Sequence, residues 1–244
     1  MDYVLNDKSG ARLGMVVLST DETLEDEARS VLTGRAVNLM HTRIESAPEV
    51  TPQSLRDMQA LMPASARLLP QGLDAIAYGC TSASVMIGPD VVQQTIGTVQ
   101  PGVPVTNPIS AVVTALTTLG ASKIGLVTPY TAQVAGPMRE FLARGGIETV
   151  KEVSFGEADD RRVARISEAS TLAAILEAGA GDGVEAVFAS CTNLRAFGII
   201  DEAEAQLGVP VISSNLALIW DMLRRAGVDA TGWGPGRLFA QGQG

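Results

Sequence analysis

Leu73-Asp-Ala-Ile-Ala-Tyr-Gly-Cys80-Thr81-Ser82 and Val184-Glu-Ala-Val-Phe-Ala-Ser-Cys191-Thr192-Asn193 decide the fold, because the chain's two cysteines end two apolar runs of matching pattern 111 residues apart. Working upstream at the same offset, Arg12-Leu-Gly-Met-Val-Val falls on Lys123-Ile-Gly-Leu-Val-Thr, and Gly14 meets Gly125. Downstream the spacing contracts by five residues, with Gly102-Val-Pro-Val105 reappearing as Gly208-Val-Pro-Val211. The chain reads as a duplicated half. A pseudo-twofold arrangement of such halves sets two sulfurs facing one another across a shared cleft, a place to move protons between opposite faces of a small molecule.

The repeat lets one half check the other. Short apolar, β-branched runs at 13–18 and 124–128 predict strands that open the halves, and 36–44 and 147–155 predict the second strands. Thr20-Asp-Glu-Thr23 supplies cap residues and early acids for a helix over 24–32. Thr51-Pro-Gln-Ser54 starts a long helix toward residue 69, matched by one over 170–178. Third strands deliver the cysteines, and helices over 110–119 and 216–226 follow. This order demands parallel sheets with right-handed crossovers, so the fold class is α/β with two pseudo-symmetric domains. The expected division is 1–118 and 119–215, with 216–244, including the tail Gly232-Trp-Gly-Pro-Gly-Arg-Leu-Phe239, packing on the first half.

Composition agrees. A chain of 244 residues with 46% hydrophobic content, dominated by small aliphatics and with 4% aromatics, suits buried parallel strands under helices. The net charge of -9 argues against nucleic acid and anionic membranes as partners. Arg161-Arg162 and Arg224-Arg225 read as solvated helix faces. Met1-Asp-Tyr-Val-Leu-Asn-Asp-Lys8 shows no secretory pattern, and no apolar run is long enough to span a bilayer. Two distant cysteines make neither a disulfide framework nor a metal clip, so a reducing cytoplasm is the expected location. His41 is the single histidine, read as structural, and no ligand set for a metal is expected. Lys123 and Lys151 sit away from the strand ends, and neither a dinucleotide fingerprint nor a P-loop is present. No cofactor is expected. The apolar face of 216–223 serves either the core or a homo-oligomer contact, and the core is favoured.

Ligands of such sheets collect at the carboxyl ends of the strands. A thiol between a strand and a helix meets N–H groups and a positive helix end, which predicts a lowered pKa and a reactive thiolate at Cys80 and Cys191. Thr81, Ser82, Thr192 and Asn193 form polar cradles suited to a carboxylate. Ser19, Asp21 and Tyr130 follow the opening strands and read as substrate-binding groups. Buried inert thiols are the competing account, and the paired surroundings weigh against it.

These stretches, with Ser19-Thr-Asp-Glu-Thr-Leu-Glu25, Val127-Thr-Pro-Tyr130 and Leu207-Gly-Val-Pro-Val-Ile-Ser-Ser214, resemble the aspartate/glutamate racemase superfamily, in particular its maleate cis-trans isomerase and arylmalonate decarboxylase branch. The resemblance implies two flavodoxin-like domains with the active site between them. It implies Cys80 as the nucleophile and Cys191 as the acid of an isomerase, whereas the decarboxylase keeps only the second cysteine. The maleate isomerases so resembled carry asparagine where this chain has Asp21, which tilts the substrate toward an ammonium-bearing molecule. Some strings also look like proteins associated with ectoine utilisation. The leading expectation is a cofactor-independent racemase or isomerase acting on an amino-acid derivative or a maleate-like diacid. The alternatives are a decarboxylase with Cys191 as proton donor, and a non-catalytic small-molecule binding protein.

Overall fold

Runs of Ala, Val, Leu and Ile with few polar interruptions become the inner strands of parallel sheets, since such strands are covered on both faces. The computed structural model describes residues 1–5 and 10–241; the readings made on 6–8 and on 242–244 lie outside the described residues. The first half runs β1 (Ala11–Leu18), α1 (Leu24–Leu32), β2 (Val37–Ile44), α2 (Pro52–Ala66), β3 (Ala75–Gly79), α3 (Thr81–Ile87), α4 (Pro89–Gly97), β4 (Val105–Thr106) and α5 (Pro108–Leu119). The second runs β5 (Lys123–Thr128), α6 (Ala132–Arg144), β6 (Glu148–Ser154), α7 (Asp160–Val163), α8 (Glu168–Gly179), β7 (Ala186–Ala189), α9 (Ile200–Leu207), β8 (Val211–Ser213), α10 (Ser214–Arg225) and α11 (Gly236–Ala240).

The two sheets have the same order, β2-β1-β3-β4 and β6-β5-β7-β8, with every pairing parallel. This is the duplicated parallel α/β architecture expected from the repeat, and the flavodoxin-like form that the resemblance implies. β3 and β7 are buried throughout, while the edge strands β2 and β6 are only partly covered. β6 departs from the repeat through a register shift opposite Ile124 and Gly125. α2 stops at Ala66 rather than 69. α8 starts at Glu168 because Ser167 Oγ accepts the N–H of Ser170 and so sets the cap. His41 lies in β2 and is exposed, an edge-strand residue and not a core one. Among the described residues, no helix is long and apolar enough to cross a membrane.

The halves join through helices. α10 is buried from Ser214 to Leu223 and packs on α5, β3 and β4 as well as on its own sheet. Its apolar face is therefore core within this chain. At its far end Asp221, fully buried, accepts from Thr106 Oγ1 at 2.5 Å and pairs with Arg224 and Arg225 at 2.7 and 2.6 Å. The tail touches both halves, with α11 against α5, α9 and β8 and the Trp233 ring 5.0 Å from the Arg35 guanidinium.

The matched glycines have one physical cause. A Cβ on Gly14 would stand 2.7 Å from Leu73 Cδ1, and one on Gly125 would stand 2.5 Å from the backbone oxygen of Ala178. Each marks where the segment leading from the second strand to the third crosses the opening strand. Leu73 can turn aside, but the Ala178 carbonyl cannot. Gly125→Ala is expected to cost about 1–3 kcal/mol of unfolding free energy, and Gly14→Ala less. Urea denaturation of both variants tests this, and an unchanged midpoint for Gly125→Ala would contradict it.

Candidate functional site

The strand ends of the two halves converge on a narrow, partly open cavity of ≈ 20 Å³, room for about one water molecule. Cys80 and Ser82 reach it from the end of β3, Tyr130 from the end of β5, and Cys191 and Thr192 from the end of β7. Leu18, Val50, Leu55 and Met58 form an apolar wall. The loops after β2 and β6 close the space: Val50 N–H donates to Ala158 O and Asp160 N–H to Pro48 O, both at 2.9 Å, beside an antiparallel bridge between Glu49 and Asp159. As it stands the space admits about one water molecule.

The two thiols are not held alike. Cys80 is the N-cap of α3, and its Sγ accepts from Ala83 N–H at 3.4 Å and lies 3.6 Å from Ser82 Oγ. Cys191 has φ 119°, a region that side chains rarely adopt and that costs conformational energy. Its N–H donates to Ser214 Oγ at 3.0 Å and its Sγ accepts from Asn193 N–H at 3.3 Å. A turn and a short 3-10 segment follow it, so the expectation of a helix start behind each thiol holds only for Cys80.

The expected lowering of the thiol pKa values is overturned. Burial pushes Cys80 up to about 12, against the Ala83 N–H and the Ser82 hydroxyl. It pushes Cys191 well above the usual thiol range, with Asp160 acting the same way and Tyr130 opposing. Losing water outweighs two weak donors per sulfur. The resting pair is neutral. Burial also raises the Tyr130 phenol, which keeps it a hydrogen-bond donor.

The other residues singled out in the sequence brace the site and do not line the cavity. Thr81 Oγ1 donates to Ser214 Oγ at 2.8 Å, the oxygen that also receives the Cys191 N–H. Thr192 reciprocates across the halves toward Gly79 O at 3.4 Å while still lining the cavity. Ser19 Oγ lies 3.0 Å from Ser46 Oγ at the rim. Asp21 Oδ1 accepts the N–H groups of Thr23 and Leu24, both at 2.8 Å, and so caps α1. Asn193 spans the halves, accepting from Glu22 N–H at 2.9 Å and donating to Asp160 O at 3.0 Å. In this structure Ser19, Asp21, Thr81 and Asn193 are held by neighbouring side-chain and backbone groups and do not line the cavity, while Asp21 Oδ2 keeps no hydrogen-bond partner.

Asp160 was not singled out in the sequence, since Asp159-Asp-Arg-Arg162 reads as a solvated helix face, yet it is 5% exposed and lines the cavity. Burial raises its pKa. Glu27 was missed as well. Its Oε1 accepts from Ala196 and Phe197 N–H at 3.3 and 3.2 Å, and its Oε2 from Asn215 Nδ2 at 2.6 Å; that amide also donates to Thr192 O at 2.8 Å. An acid on α1 thus anchors the loop behind Cys191. Among the described residues, no group of His, Cys, Asp and Glu is placed to hold a metal ion.

A family profile described as arylmalonate decarboxylase matches residues 16–239. The maleate isomerase of Geobacillus stearothermophilus is 25% identical over 227 residues, covering 87% of this chain and 90% of that one. The arylmalonate decarboxylase of Bordetella bronchiseptica is 34% identical over 140 residues, 57% of this chain and 58% of that one. Among solved structures, a Nocardia farcinica maleate cis-trans isomerase mutant with a covalently bound succinylcysteine intermediate superposes with a TM-score of 0.82 at 25% identity, covering 94% of this chain and 98% of that one. None of these four matches carries the narrower likeness to ectoine-utilisation proteins.

Glu27 makes a pH-dependent contribution to stability. Burial raises its pKa from 4.5 to about 7, so the folded state binds the proton more tightly than the unfolded chain. Its contribution is full below pH 4.5 and is lost as pH rises to about 7, on the order of 3 kcal/mol in all. Thermal denaturation between pH 4.5 and 8 should show this decline, and Glu27→Gln should flatten it. Parallel curves for the two proteins would refute the assignment.

Proposed function

The chain belongs to the arylmalonate decarboxylase family, and from that premise we propose that it is a cofactor-independent isomerase or racemase in which Cys80 and Cys191 act on opposite faces of a small carboxylate. The observation that carries this is that both thiols line one cavity, each delivered by a strand end of a different half. The maleate isomerase and arylmalonate decarboxylase relatives support the coarser statement, a cysteine-based isomerase or decarboxylase. The binding-protein reading has no comparable support.

In racemisation, one sulfur begins as thiolate and the other as thiol. The thiolate takes the α-proton, and the C–H electron pair moves into the carboxylate to give an enediolate. The opposite S–H then returns a proton to the other face, leaving the two sulfurs with their roles exchanged. In cis-trans isomerisation, the thiolate adds to an alkene carbon, rotation follows, and expulsion of the sulfur restores the double bond. Either route needs negative charge stabilised on the carboxylate. The Ser82 and Thr192 hydroxyls and the Tyr130 phenol are the donors that line the cavity. Because the resting thiols are neutral, one proton must leave as the substrate binds.

Decarboxylation is the second reading, favoured by the Bordetella bronchiseptica relative. There a carboxyl group leaves as carbon dioxide, the electron pair stays on the α-carbon as enediolate, and Cys191 protonates it. Cys80 would have no required part. Solvent deuterium incorporation into maleate, arylmalonates and amino acids separates the readings. Cys80→Ala and Cys191→Ala are each expected to cut turnover by about 100- to 10,000-fold. Full activity in either variant would sink the two-thiol mechanism, and gas release from an arylmalonate by Cys80→Ala would establish the decarboxylase.

A further inference from the structure

We propose that Asp160 is the ammonium-binding carboxylate of this cavity, so that the substrate is a short-chain neutral α-amino acid and not a dianionic acid. This rests on the two-thiol reading and names its substrate class.

The cavity's charge inventory carries the argument. Among the described residues that line it, Asp160 is the single charged side chain, and no lysine, arginine or histidine is present. A dianion would bring two negative charges into a small space that already holds a carboxylate and offers no cation. The neighbouring arginines are committed elsewhere, Arg161 to Asp159 at 2.9 Å and Arg162 to Glu157 at 2.7 Å. Asp21, 2% exposed, has an Oδ2 without a hydrogen-bond partner. Neither Asp21 nor Asp160 enters an ion pair among the described residues. A buried carboxylate is ordinarily paired, so the missing cation points to the ligand.

Three hydrogen bonds position Asp160 while the loops are closed. Its Oδ2 accepts from Thr20 Oγ1 at 2.6 Å, its N–H donates to Pro48 O at 2.9 Å, and its carbonyl accepts from Asn193 Nδ2 at 3.0 Å. A zwitterion matches what surrounds it. The ammonium meets Asp160, the carboxylate meets Ser82, Thr192 and Tyr130, and a short alkyl group meets the apolar wall of Val50, Leu55 and Met58. Asp160 opposes ionisation of both thiols and of Tyr130. An ammonium group beside it cancels that opposition, so binding of the substrate itself eases formation of the thiolate.

The test uses the full chain in heavy water, reading α-deuteration by mass spectrometry. The probes are alanine, 2-aminobutyrate and norvaline, with propionate, butyrate and valerate as their des-amino counterparts, and maleate and phenylmalonate as dianions. The expected result is label in the amino acids and not in their counterparts, lost by at least about 100-fold in Asp160→Asn. Thr20→Val removes a hydrogen bond that positions Asp160 but not its charge, and should lower the exchange by less than Asp160→Asn does. Should Asp160→Asn fail to fold, the wild-type preference for amino acids over des-amino acids decides alone. Absence of label in every amino acid overturns the inference, as does equal labelling by Asp160→Asn. If maleate or phenylmalonate is then turned over in a cysteine-dependent way, the two-thiol reading stands without it. If Cys80→Ala and Cys191→Ala label as wild type does, both fall.

Discussion

Two strand ends from opposite halves must meet around one small buried space, and nearly everything else in the molecule serves that meeting. The contact is made by hydroxyls and backbone groups. Thr81 and the Cys191 N–H converge on Ser214 Oγ, and Thr192 reaches back to Gly79 O. Each of these residues lies beside a thiol or next to one across the interface, so the clasp fixes the separation of the sulfurs. Behind it, α10 lies buried against α5 and β3, which makes the two halves one packed body and not two lobes on a tether.

Burial has an electrostatic consequence. A cavity of ≈ 20 Å³ walled by side chains and closed loops leaves charge poorly solvated, and the thiols, the phenol and the acids all shift toward their neutral forms. A pair of neutral thiols is inert as a resting state. It becomes reactive only when something supplies compensating charge or polarity, so chemistry is tied to occupancy. The positive φ of Cys191 belongs to the same design, because the turn that carries it is held by Asn193, Asn215 and Glu27 and not by a helix.

The sequence showed the architecture well and the site in part, and the division follows physical lines. Parallel strands announce themselves as apolar runs, and a duplication lets each run confirm its partner, so β1 with β5 and β3 with β7 were legible from residue type alone. Cys80, Ser82, Tyr130, Cys191 and Thr192 were legible for the same reason, being the first residues after those strands. Ser19, Asp21, Thr81 and Asn193 occupy equivalent places, but whether a polar side chain at a strand end lines the cavity or meets a neighbouring group depends on contacts within its own half for Ser19 and Asp21 and across the halves for Thr81 and Asn193. Asp160 and Glu27 lay in charged stretches that look solvated until another element covers them.

By itself the sequence determined a duplicated α/β chain with one thiol per half at corresponding strand ends, because strand periodicity and repeat spacing are local properties. Only the tertiary structure decided the protonation of those thiols, the asymmetry between a helix-capping Cys80 and a strained Cys191, and the presence of an unpaired acid in the cavity. Each of these depends on desolvation and on groups more than a hundred residues away in the chain, such as Thr20 with Asp160 and Glu27 with Asn215. Burial is a property of the assembled halves, and no window along the chain contains it.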